Sequence, residues 1–212
     1  MIDTQIRPKS YARLMVLVPL LGIVSAVVTF AFMVLVNQGI NLIWEQVQLA
    51  VGLDARLFTL LVCALGGLLV GLLVKLFGDH NAIFFELVQE FGKTGRFDYR
   101  HAPGIVITSI VSLISGASLG PEAALADACG AMGTWVSDRR KLNEKETRTM
   151  GYGGLSAMLA AFITNPFAGA LLALEGSQGG MMAQVYVWGL LPSLLASAGA
   201  TVVFVALAGG FP

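Results

Sequence analysis

Three long apolar segments divide the chain, and each has the length needed to cross a bilayer. Leu14–Val36 contains no charged residue, Leu57–Val74 is bounded by basic residues, and Val185–Ala208 is interrupted only by Pro192. A membrane-spanning helix needs about 20 consecutive apolar residues. The pattern therefore predicts three transmembrane helices.

The middle of the chain has shorter apolar segments, which are separated by glycine and proline. Gly104–Ser115 and Ala123–Val136 flank the sequence Gly-Ala-Ser-Leu-Gly-Pro-Glu at 116–122, and Met150–Ile163 ends at the Thr-Asn-Pro of 164–166. Proline breaks a helix, and the freed backbone groups are tolerated in lipid mainly where they line a cavity or an ion site. We therefore predict short helices that meet at 116–122 inside the membrane.

Composition narrows the class of protein. Of the 212 residues, 56% are hydrophobic and 12% are charged, whereas soluble domains carry about a quarter charged residues. The 13 basic and 13 acidic side chains cancel, which disfavours a nucleic-acid partner. Cys63 and Cys129 lie in apolar runs, and His80 and His101 have no other ligands at metal-binding spacing, so we expect no metal site and no cofactor. The chain is predicted to be an all-α polytopic membrane protein.

The basic residues predict the orientation in the membrane. They precede the first long segment, follow the second at 75–100, and form a third group at 139–148, while 37–56 holds only Arg56. Basic residues favour the cytoplasmic side. We expect a cytoplasmic segment at 1–13, an outside loop at 37–56, an inside loop at 137–149, and a multi-pass domain at 14–212 in the plasma or inner membrane.

A helix that begins after Gly120-Pro121 would create an anion site from backbone groups. The first turn of a helix has unpaired N–H groups and a partial positive charge, and glycine lets a ligand approach the backbone closely. Such a site holds an anion without a full opposite charge, so the anion can leave again. The predicted anion-binding residues are Gly116, Ala117, Ser118, Leu119 and Gly120. Glu122 is either a simple helix cap or a functional carboxylate, and Asp127 is either functional or structural.

Several motifs in the same order resemble the CLC family of chloride channels and proton-coupled anion transporters. These are Gly120-Pro121 with its small-residue helix, the Gly-Tyr-Gly-Gly-Leu-Ser-Ala at 151–157, and the Asn-Pro-Phe-Ala-Gly-Ala at 165–170 followed by Glu175. The resemblance implies a bundle of broken, short and tilted helices that is one half of an inverted repeat, and a homodimer in which each subunit has its own path. Because the chain resembles only the N-terminal half, we expect a fragment that lacks the C-terminal half. A half-length protein that pairs with itself is the alternative.

Three departures from the family pattern bear on mechanism. The family's gating glutamate corresponds to Leu119, and Glu122 cannot be assumed to replace it. The inner proton-relay glutamate corresponds to Gly176, next to Glu175. The family's inner anion segment falls on the Gly-Asp-His-Asn of 78–81, which comprises Gly78, Asp79, His80 and Asn81.

These departures favour passive permeation of chloride or a similar small anion, uncoupled from protons. The alternatives are a proton-coupled exchanger and a non-conducting structural membrane subunit. An intramembrane serine protease at Ser118 is disfavoured, because a serine hydrolase needs a base and no histidine follows on a later span. We therefore expect a protein that is not an enzyme.

Overall fold

The computed structural model describes residues 8–79, 83–118, 120–175 and 186–210, and this part of the chain is a bundle of α-helices without strands. The all-α fold is thus confirmed. In chain order the helices are α1 (Pro8–Asn41), α2 (Gln48–Val51), α3 (Ala55–Phe77), α4 (Phe84–Thr94), α5 (Ala102–Ile114), α6 (Glu122–Arg140), α7 (Glu144–Ile163), α8 (Pro166–Glu175) and α9 (Leu191–Ala208). Single π-helical segments at Leu42–Val47 and Tyr186–Leu190 lead into α2 and α9.

The three predicted spans are confirmed as helices long and apolar enough to cross a membrane, but the first continues further than predicted. The helix runs through π-helical turns to Val51, so 37–56 is not an open loop and only 52–54 separate α2 from α3. Residues 37–51 contain no proline, and Gly52, with a φ of 66°, ends the helix. Asp54 then caps α3 by accepting from the Arg56 amide. Polar side chains at 37–51 do not stop a helix, because capping geometry ends it.

The basic segment at 137–149, predicted as a loop, is also mostly helical. α6 extends to Arg140 and ends where Lys141 takes a left-handed φ of 53°. α7 begins almost at once with a capping box: Asn143 Oδ1 accepts from the Glu146 amide at 2.9 Å, and the Asn143 amide donates to Glu146 Oε2 at 3.0 Å. Only 141–143 lie between the two helices.

Glycine brings the central helices together. A Cβ added at Gly154 of α7 would lie 2.1 Å from the Cys129 carbonyl oxygen of α6, and one added at Gly22 of α1 would lie 2.4 Å from the Ala196 carbonyl oxygen of α9. Small residues at such crossings let helix backbones approach closely in membranes. The bundle of α1, α6, α7 and α9 therefore depends on these glycines.

α3 lies at the edge of this bundle. Leu65 and Leu68 are 66% and 73% exposed, and a Cβ added at Gly67 would meet nothing within 4 Å. Gly66 instead faces Ser115, where an added Cβ would lie 2.3 Å from its side chain. α3 therefore packs on the rest of the described chain mainly along α5, from the Gly66–Ser115 contact to Gly104, where an added Cβ would lie 2.8 Å from Phe77.

Candidate functional site

The predicted break between two short helices is present. α5 ends at Ile114, and Gly116 takes a φ of 100°. The Gly116 amide donates to the Leu113 carbonyl and the Ala117 amide to the Ser112 carbonyl, both at 3.1 Å. This pair of bonds is a Schellman-type cap, which needs a residue in the left-handed region and is suited to glycine.

Two side chains from other helices hold the end of α5. Trp44, in the π-helical turn after α1, donates from Nε1 to the Ile114 carbonyl at 2.9 Å. Cys63 of α3 donates from Sγ to the Ser115 carbonyl at 3.6 Å. The Trp44 ring also lies close to Gly116, where an added Cβ would approach it to 2.9 Å. The position of the break is thus fixed by three separate parts of the chain.

α6 begins at Glu122, directly after Gly120-Pro121, as predicted. Pro121 precedes the first helical residue, and its carbonyl accepts from the Leu125 amide at 3.0 Å. As in any α-helix, the amides of the first turn have no partner within the helix, and they carry the positive end of the helix dipole. The start of α6 can therefore bind an anion through backbone N–H groups.

The Glu122 carboxylate reaches back over Gly120. A Cβ built at Gly120 would lie only 1.7 Å from Glu122 Oε2, so the carboxylate occupies the space that a side chain at 120 would need. A side chain at 120 would require the Glu122 carboxylate to move away from this position. Sequence reasoning left Glu122 undecided between cap and functional group, because it cannot give the side-chain direction; the structure places this carboxylate at the helix start.

The five predicted anion-binding residues differ in how well the structure suits them to an anion. The amides of Gly116 and Ala117 are already bonded to α5 carbonyls, so they are poorly suited to an anion. Ser118 and Gly120 are exposed at the break, and Leu119 lies outside the described residues. The first turn of α6 is therefore better suited to an anion than the amides of 116 and 117. That an anion binds here stays a prediction.

A cavity of about 360 Å³ lies beside this break, between α3, α4, α5 and α6. Its polar lining combines the carboxylates Glu122 and Asp127 with hydroxyl groups of α5. The hydroxyl-bearing residues are Thr108, Ser109 and Ser112. Asp127 is 6% exposed, and its Oδ2 has no hydrogen-bond partner among the described residues. The hydroxyls gave no sequence signal, because their common wall exists only once α5 packs on α6.

The remaining candidates lie away from the break. Gly78 caps α3 with its amide on the Val74 carbonyl at 2.8 Å, and Asp79 follows it at the surface; neither lines the cavity. His80, Asn81 and Gly176 lie outside the described residues, and Glu175 is the last residue of α8. In the described ranges no three His, Cys, Asp or Glu side chains form a group that could hold a metal ion.

The predicted cytoplasmic side carries paired charges. Asp98, between α4 and α5, accepts from the Arg100 amide at 3.0 Å and pairs with His101 Nδ1 at 3.0 Å. The Arg100 amide, followed by the charge of His101, holds the pKa of the Asp98 carboxyl below its usual value. Arg96 pairs with Asp138 near the end of α6.

Comparison with known proteins agrees with this architecture. A family model described as voltage gated chloride channel matches residues 66–212. A solved structure described as the X-ray crystal structure of a slow cyanobacterial Cl⁻/H⁺ antiporter shares the fold, with a TM-score of 0.74 and 18% identity. The match covers 96% of this chain and 48% of the antiporter chain, so this chain spans about half of that protein. No curated protein matches the sequence. The chain belongs to the voltage-gated chloride channel, or CLC, family of integral membrane proteins.

Proposed function

We propose that the chain supplies one half of a transmembrane path for chloride or a similar small anion. The observation that carries the proposal is the start of α6, where first-turn amides open onto a helix break beside Gly120. A dehydrated anion needs several donors, and backbone N–H groups at a helix start provide them without a full charge.

Glu122 is the gate in this proposal. Its carboxylate lies against Gly120, so when ionised it competes with an anion for the same helix start. Protonation removes the negative charge and with it the competition. The gate is thus three residues further along than the position that the family resemblance implies, Leu119.

Flux measurements test this gate. In liposomes that contain the complete subunit, we expect chloride efflux to rise as the pH is lowered. Glu122→Gln should give fast efflux at all pH values, because the amide is neutral. The matched control is Glu144→Gln, an exposed carboxylate at the start of α7, which should keep the parent profile. A pH-dependent efflux that survives in Glu122→Gln would refute the gate.

Transport is proposed to be passive, since Leu119 and Gly176 replace both of the family's proton-carrying glutamates. Proton-coupled exchange is the second candidate, because Glu122 and Asp127 line one cavity and the fold is that of a Cl⁻/H⁺ antiporter. The two differ in one measurement. A chloride gradient across weakly buffered liposomes should move no protons in the passive case, and should drive protons uphill in the exchanger.

The proposal includes a second half for the path. In this proposal, residues 14–212 form the N-terminal half of the membrane domain, and residues 1–13 are cytoplasmic. Two complete subunits form a homodimer in the plasma or inner membrane. Liposomes that hold only these 212 residues should therefore show no anion flux above protein-free liposomes. Robust flux from this chain alone would favour a half-length protein that pairs with itself.

A further inference from the structure

Asp127 is a buried carboxylate that has no role in the passive anion path proposed above. It lies in the second turn of α6 and is 94% buried, and Oδ2 has no hydrogen-bond partner among the described residues. The residue lines the cavity between α3 and α6, which hydroxyl-bearing residues of α5 also line. A buried polar atom without a partner needs an explanation, and here it belongs to a residue that lines a cavity.

The charges around Asp127 are mostly of its own sign. The ionisable groups of other segments whose charges act on it are Glu90 of α4, Asp98 before α5, and His101, which pairs with Asp98. On its own helix, Glu122 lines the same cavity and Cys129 is a buried thiol. No lysine or arginine belongs to the described lining of the cavity. An ionised Asp127 would therefore be a buried charge without a compensating cation.

We propose that Asp127 is a proton-binding site served by this cavity. Burial disfavours an unpaired carboxylate strongly, and uptake of one proton converts it to a neutral acid. The new O–H group can donate to a hydroxyl oxygen of Thr108, Ser109 or Ser112, which line the same space. The reaction is the addition of H⁺ to one carboxylate oxygen, and no other bond changes. This site is distinct from the Glu122 gate and does not depend on anion permeation.

Infrared difference spectroscopy of the purified chain in lipid tests the proposal. Lowering the pH should produce a protonated-carboxyl C=O band that shifts in D₂O. Because the chain has 13 Asp and Glu residues, the component of this band that comes from Asp127 should be lost in Asp127→Asn. It should remain in Glu144→Gln, which removes an exposed carboxylate from α7. Asp127→Glu, which restores an acid at this position, should restore a band. A band that is unchanged in Asp127→Asn, or no protonated-carboxyl band at any pH, would overturn the assignment.

A second measurement needs no variant, so it holds if Asp127→Asn fails to fold. Dicyclohexylcarbodiimide reacts with protonated carboxyl groups in apolar surroundings, and mass spectrometry locates the adduct. We expect modification of Asp127 in the parent protein, with a yield that falls as the pH is raised. Modification that spares Asp127 would overturn the proton site. An Asp127 carboxylate that stays ionised and responds to Na⁺ instead of pH would also overturn it.

Discussion

Gly154→Ala is the sharpest test of the packing that positions α6. The added Cβ would lie 2.1 Å from the Cys129 carbonyl oxygen and 2.8 Å from its carbon. Ordinary contact needs about 3.5 Å, so α6 and α7 must separate by roughly 1.4 Å at a point where both are fully buried. The obstacle is backbone, which cannot rotate away as a side chain can.

The free energy follows from two opposing effects. Overpacking a buried site costs about 1–3 kcal/mol, and a rigid backbone obstacle places this site at about 3 kcal/mol. Alanine is favoured over glycine in a helix by about 1 kcal/mol, which leaves a net loss of about 2 kcal/mol. Gly199→Ala in α9 is the control, because its Cβ would lie 3.7 Å from the Pro19 carbonyl oxygen, an ordinary contact. That variant should gain about 1 kcal/mol from the same helix preference.

Unfolding of the purified chain in mixed micelles, titrated with dodecyl sulfate and followed by circular dichroism, measures this difference. The two variants should differ by about 3 kcal/mol, or more than a hundredfold in the unfolding equilibrium constant. Equal stability of Gly154→Ala and Gly199→Ala would refute the inference that α6 and α7 are in close backbone contact.

Three further predictions concern orientation, the gate and acid stability. Glu144→Cys, in a Cys63→Ser background that removes the exposed native thiol, should react with an impermeant thiol reagent only from the cytoplasmic face. Labelling from outside would contradict the predicted orientation. Leu119→Glu should add a second gating carboxylate and slow chloride efflux at neutral pH, with recovery on acidification; an unchanged profile would mean that 119 does not face the path. The pKa of Asp98 is lowered in the folded state, so the ionised Asp98 stabilises the fold above pH about 3.9, and this stabilisation is lost as the pH falls below that value. Asp98→Asn should therefore make acid unfolding less steep, and an identical acid transition would contradict this.

Sequence reasoning succeeds where covalent chemistry dictates the backbone. Proline after Gly120 fixes the start of α6, and Thr164-Asn-Pro166 separates α7 from α8 as predicted. The same reasoning does not locate the ends of helices near the membrane surface. Hydropathy gives only the length of the apolar segment, and the helix can continue through the polar residues beyond it. At 137–149 the chain stays helical for this reason.

Contacts between distant segments explain what could not be predicted at the site. Nothing in the sequence neighbours of Trp44 indicates a bond to a residue 70 positions away, Ile114. The Glu122 side chain could point in several directions, and the position that it takes over Gly120 overlaps the place of a Cβ there. The proton site at Asp127 likewise requires α5 to bring its hydroxyls to the same cavity.

The cap on α5 has a consequence for the electrostatic field at the break. α5 arrives there with its carbonyl end and α6 leaves with its amide end, so two opposite helix dipoles meet. The α5 carbonyls from 111 to 115 all accept hydrogen bonds: those of 111–113 from the turn itself, and those of 114 and 115 from the Trp44 indole and the Cys63 thiol. The negative pole is therefore screened, whereas no side chain of the described residues caps the positive pole by a hydrogen bond and the Glu122 carboxylate beside it is the group with which an anion competes. Trp44, although it carries no charge, thus helps to make the break attractive to anions.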